Sequence, residues 1–100
     1  PNTLEAKVVQ DADRLDALGA IGITRCIQVS TEFDAQLYDD KDIFAQQREL
    51  DDKQFTLDHF QTKLFKIAET MNTASARREA QKRKAFMQAY IEQLHDEVTA

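Results

Sequence analysis

Residues 8–25 read Val8-Val9-Gln10-Asp11-Ala12-Asp13-Arg14-Leu15-Asp16-Ala17-Leu18-Gly19-Ala20-Ile21-Gly22-Ile23-Thr24-Arg25, with three carboxylates and an arginine inside six positions of a stretch that is otherwise almost wholly apolar from Leu4 to Ile27. A carboxylate among apolar neighbours is costly unless a cation or several hydrogen-bond donors satisfy it. Laid on a helix at about 100° per residue, Leu4, Val8, Ala12, Leu15, Leu18, Gly19, Gly22 and Cys26 form one stripe, and Val9, Ala20, Ile23 and Ile27 a second, roughly opposite. A helix apolar nearly all round is expected to be a buried central helix. On this projection Asp13 and Asp16 lie about 60° apart beside the second stripe and can share a site, whereas Asp11 points about 140° or more away from those two aspartates.

The rest of the chain sets the class. Two glycines and one proline in 100 residues leave little material for tight hairpins, so an all-α fold is expected. Asn2 or Thr3 can cap the first helix, with Glu5 placed to close a capping box. Gly19 and Gly22 permit close approach of another backbone and mark a bend or a break into two helices. The first segment, 1–29, is thus a helix or helix pair carrying the aspartate motif. Residues 30–52 lose periodicity and collect Asp34, Asp39, Asp40, Asp42, Asp51 and Asp52, as a long connection would. A second helix is predicted over 53–71 on Leu57, Phe60, Leu64, Ile67, Ala68 and Met71, and a third over 73–98 on Ala76, Ala80, Met87, Ile91, Leu94 and Val98. These two amphipathic helices should pair antiparallel against the buried first helix, within one domain.

Charge and composition bound the function. The net charge of −5 argues against nucleic acid or an anionic membrane as the main partner. The basic segment Arg77, Arg78, Lys82, Arg83 and Lys84, with Glu79 inside it, reads as a solvated helix face. The longest apolar run, Ala17 to Ile23, is far short of the roughly 20 residues that span a bilayer. No secretory signal is visible, and the single Cys26 forms no internal disulfide, which points to a reducing cytoplasm. Phe55, Phe60, Phe65 and Phe86 read as core or interface residues, and any left exposed would favour self-association.

Carboxylates suit hard divalent cations, but such ions usually take about six ligands, and one helix supplies too few. On composition alone the cluster therefore supports two readings: a metal or phosphate site, or carboxylates paired with Arg14 and Arg25.

The stretch from Val8 to Arg25 resembles the last conserved motif of bacterial HD-domain metal-dependent phosphohydrolases, in the branch of YedJ-like predicted hydrolases. The likeness extends to Phe44-Ala45-Gln46, Leu50-Asp51-Asp52-Lys53, Asp58-His59-Phe60-Gln61-Thr62-Lys63-Leu64 and Met71-Asn72-Thr73, and is weakest from Gln28 to Asp40. The resemblance implies that Asp13 is the final metal ligand, that the basic side chain of Arg14 faces substrate phosphate, and that Asp16 lies in the substrate-facing neighbourhood. It implies hydrolysis of nucleotides or other small phosphoesters, with a divalent metal such as Mn, Mg, Ni or Fe polarising the phosphoryl group. His59, with Lys63 one turn later on the same face, is a candidate substrate contact. Asp11 is read as a structural hydrogen-bond acceptor.

The upstream His and His-Asp ligands of that family have no counterpart before Asp13. His95-Asp96 spells the dipeptide but follows the final aspartate, and reads as surface. The chain, which begins at Pro1, is expected to be the C-terminal half of an HD domain, inactive alone and partnered by a missing N-terminal half. The alternative is a non-catalytic helical interaction module in which Asp11, Asp13 and Asp16 pair with Arg14, Arg25 and the basic part of the third helix.

Overall fold

The computed structural model describes all 100 residues, Pro1–Ala100. It is all-α: α1 (Leu4–Leu15), α2 (Gly19–Glu32), a π-helical turn (Phe60–Leu64) that runs on into the short α3 (Phe65–Ile67), and the long α4 (Ala74–Val98). No strand forms; one isolated bridge joins Gln36 to Phe55.

Thr3 caps α1, its hydroxyl accepting from the Ala6 N–H at 3.1 Å. Glu5 therefore falls one position short of closing a capping box and instead faces the positive end of the helix dipole. The helix stops at Leu15, because Asp16 to Leu18 turn and drive Leu18 wholly into the core. Both glycines are required at this break. Gly19 has φ of +71°, and a methyl group on Gly22 would sit 2.3 Å from the Ala17 carbonyl oxygen.

That break corrects the expected burial of the first helix. The two stripes projected for residues 4–27 never share one cylinder, so α1 buries only Asp11 and leaves Leu4 and Val9 each 68% exposed. α2 inserts Gly22 and Ile23 into the core and ends on a Schellman closure, the Ala35 N–H donating to Ser30 O across Asp34 at φ +55°.

The helix expected over 53–71 is also cut down. Asp51 Oδ1 accepts from the Lys53 and Gln54 N–H groups, while the Thr56 and Leu57 N–H groups donate to Gln36 O and Leu37 O. With those donors used sideways, helical backbone starts only at Asp58, and the Phe65 N–H reaching Phe60 O gives the π turn that buries Phe60 and Leu64. In consequence α4 packs chiefly on α2 and α1 rather than on an antiparallel second helix. Its stripe of Ala76, Ala80, Met87 and Ile91 joins Leu18, Ile23, Phe60 and Leu64 in one apolar core.

The loop between α2 and the π turn is ordered by one arginine. Arg48 forks onto Asp58 at 2.6 and 3.1 Å, reaches Asp39 at 3.0 Å, donates to Asp42 O, and lies 4.4 Å from the Phe55 ring centroid. Asp58, 1% exposed, also accepts from the Asp51 N–H at 2.7 Å. Hydrogen bonds to Asp58 lead the effects that raise the Arg48 pKa and keep its guanidinium charged.

Candidate functional site

The three clustered aspartates separate into one structural group and two free ones. Asp11, 3% exposed, accepts through Oδ1 from the backbone N–H of Asn72 (2.7 Å) and its Nδ2 (3.0 Å). Its Oδ2 accepts from the N–H and the hydroxyl of Thr73, both at 2.9 Å. Thr73 is the N-cap of α4, so Asp11 places a carboxylate against the positive end of a 25-residue helix and ties α1 to α4. Burial pushes the Asp11 pKa up, but the four donors outweigh it and hold the group below the usual carboxylate value.

Asp13 and Asp16 sit three residues apart at the end of α1, and both are exposed. Neither forms an ion pair. Arg14, half-buried, spends Nη1 on Thr70 O at 2.7 Å, while Arg25 is exposed and pairs with no carboxylate. The pairing of Asp11, Asp13 and Asp16 with Arg14, Arg25 and the basic part of α4, which the interaction-module reading requires, is therefore absent. The basic residues are occupied elsewhere: Arg83 caps the Leu15 carbonyl at 2.6 Å and pairs with Glu79, and Lys84 pairs with Glu69. No three His, Cys, Asp or Glu side chains come together to hold a metal ion, so the donors of this chain do not fit a metal by themselves.

His59 is positioned by the turns that replaced the expected helix. Its Nδ1 lies 2.9 Å from Asp52 Oδ2, which also accepts from the Thr62 hydroxyl at 2.9 Å. The hydrogen bond to His59 is the largest of the effects that lower the Asp52 pKa. Sequence places Asp52 in the long connection and does not pair it with His59, because residues seven apart on a helix share a face but lie about 10 Å apart along its axis, and the two come into reach only through the turns at 52–57. Both side chains line a cavity of about 710 Å³ between α2 and the 52–64 segment. Lys63 is exposed and does not line it, and neither do Asp13, Arg14 or Asp16. His59 and Lys63 are thus not brought to one site here. His95 packs against Phe44 with ring centroids 5.1 Å apart and takes part in no cluster of ligands.

No family model matches the sequence. The uncharacterized protein YpgQ of Bacillus subtilis is 37% identical over 98 residues, which cover 98% of this chain and 42% of YpgQ. An HD-superfamily hydrolase from Bacillus thuringiensis superposes with a TM-score of 0.81 at 41% identity, over 98% of this chain and 48% of that one. The crystal structure of YpgQ in complex with ADP superposes with a TM-score of 0.76 at 40% identity, over 97% of this chain and 46% of that one. The chain spans less than half the length of each. No helix is long and apolar enough to cross a membrane. Over nearly its whole length, this all-α chain is similar in sequence and in fold to a part of YpgQ and of an HD-superfamily hydrolase.

Proposed function

We propose that this chain supplies one part of a cytoplasmic HD-type phosphohydrolase acting on nucleotides or other small phosphoesters, with Asp13 as a metal ligand and Arg14 and Asp16 beside the substrate. The observation that carries this reading is the division of labour within the motif. Asp11 is consumed by four hydrogen bonds, whereas Asp13 and Asp16 are exposed and unpaired, free for chemistry with groups outside these 100 residues. Arg14 fits a phosphate contact, since its single bond to Thr70 leaves Nε and Nη2 without a partner. Similarity to YpgQ, which has been crystallised with ADP, favours a nucleotide over other phosphoesters.

The remaining metal ligands are assigned to the portion of the relatives that this chain does not span, and the outward faces of α1 and α2, with Val8, Val9 and Ile21 exposed, to contact with it. One aspartate cannot hold a metal or organise hydrolysis alone.

The test is phosphate or pyrophosphate release from a panel of nucleoside di- and triphosphates, by a complete protein containing this chain, with added Mn²⁺ or Mg²⁺ and with chelator. Turnover that needs the metal and is absent from the 100-residue chain is expected. A metal-loaded complete protein inactive on the whole panel contradicts the proposal, as does comparable turnover by the chain alone.

A further inference from the structure

The cavity between α2 and the 52–64 segment is built entirely from this chain and contains none of Asp13, Arg14 or Asp16. Its volume of about 710 Å³ falls within the usual span for small-ligand pockets. The wall is apolar, from Cys26, Val29 and Leu64, and at its edge stands the Phe33 ring, 73% exposed. An aromatic side chain left so open at the mouth of an apolar cleft offers a stacking surface.

The polar groups of the cavity are few and mostly uncommitted. Arg25 and Lys53 line it, and the side chain of neither makes a hydrogen bond or an ion pair within the chain. The one acidic side chain in the lining, Asp52, already accepts from His59 and Thr62. That contact engages His59 Nδ1 and leaves Nε2 without a protein partner. An apolar wall with an exposed ring, two unpaired cations and an oriented imidazole suits a ligand that is flat and apolar at one end and anionic at the other.

We infer that this cavity is a complete binding pocket for a nucleoside phosphate, with the base against Cys26, Val29 and Phe33 and the phosphates on Arg25 and Lys53. The ligand class rests on the nucleotide reading above; the pocket itself does not depend on Asp13. Arg25 and Lys53 recognise charge, and His59, held by Asp52, presents Nε2 to a phosphate or ribose oxygen.

The experiment is an equilibrium titration of the 100-residue chain, without metal, with ADP, adenosine and inorganic pyrophosphate, followed by amide chemical shifts. ADP is expected to bind and to shift the amides of Cys26, Val29, Phe33 and Lys53, with adenosine and pyrophosphate each weaker by about tenfold or more. Arg25→Gln combined with Lys53→Gln should weaken ADP by about tenfold or more. Its spectrum away from the cavity should be unchanged, since neither side chain holds the fold. Absence of ADP binding, shifts confined to other surfaces, or equal affinity in the double variant would each overturn the inference. Hydrolysis by the complete protein without binding by this chain removes the pocket and keeps the hydrolase. Binding here beside an inactive complete protein does the reverse.

Discussion

Asp11→Ala is expected to lower the Tm of the chain by on the order of 10 °C or more, because four donors lose their acceptor together and a domain of this size loses several degrees per kcal/mol. Those donors include the backbone N–H groups of Asn72 and Thr73, at the entry to α4. The change therefore unties α1 from α4 as well as removing a favourable charge at the α4 N-terminus. Asp11→Asn should recover only part of the loss, since its amide nitrogen would face a donor.

The pH dependence has a definite sign. The folded Asp11 pKa lies below its ordinary value of 3.8, so the carboxylate's contribution is fully present above that value and is lost as pH falls through the lower, folded one. The Tm gap between wild type and Asp11→Ala should be constant near neutrality and close below about pH 4. Asp42, Asp52, Glu69 and Glu79 also have lowered values, so the variant should still lose stability in acid, with a shallower slope. Thermal melts at a series of pH values check both statements, and a gap that widens in acid contradicts them.

Arg48→Ala is expected to cost about 3 to 5 kcal/mol, because it strands Asp58 as a buried carboxylate whose remaining donor is the Asp51 N–H. The same guanidinium holds Asp39 and the Asp42 carbonyl, so the damage should run through the whole connection rather than stay at one contact. Urea unfolding measures the total. Hydrogen exchange should show lost protection concentrated between Asp39 and Asp58, with α4 least affected. Arg48→Met combined with Asp58→Leu should be closer to wild type than Arg48→Ala, since no charge is then left unpaired. A single variant within about 1 kcal/mol of wild type would mean that the Arg48–Asp58 fork does not order this loop.

How much of this was legible in the sequence follows from the range of each interaction. The all-α class and the buried stripe of α4 are visible because helical periodicity is local and glycine and proline are scarce. The two glycines signal a bend or a break into two helices, and the chain does break at Asp16–Leu18, but the projection of the apolar stripes ran residues 4–27 through one cylinder. Burial of α1 was therefore overstated, and Asp11, which the projection turns away from Asp13 and Asp16, is its one buried residue because the α4 N-terminus docks there. Leu57, Phe60 and Leu64 carry a helical period, but backbone donors from Lys53 to Leu57 go to Asp51, Gln36 and Leu37 instead. No periodic pattern reports that choice. The Arg48–Asp58 fork and the His59–Asp52 contact span ten and seven positions through irregular backbone, and only the folded loop brings them together.

At the candidate site, the reading of Asp11 as a structural acceptor agrees with its geometry, while the roles of Asp13, Arg14, Asp16, His59 and Lys63 remain proposals carried by resemblance and exposure. The most direct measurement is nucleotide hydrolysis by a complete protein containing this chain, comparing wild type with Asp13→Ala and recording thermal melts on the same samples. The account predicts activity at background, with the stability of the metal-free protein changed by no more than about 0.5 kcal/mol, because Asp13 is exposed and has no partner within this chain. Activity near that of wild type, or a loss of activity that merely tracks a loss of folding, would contradict it.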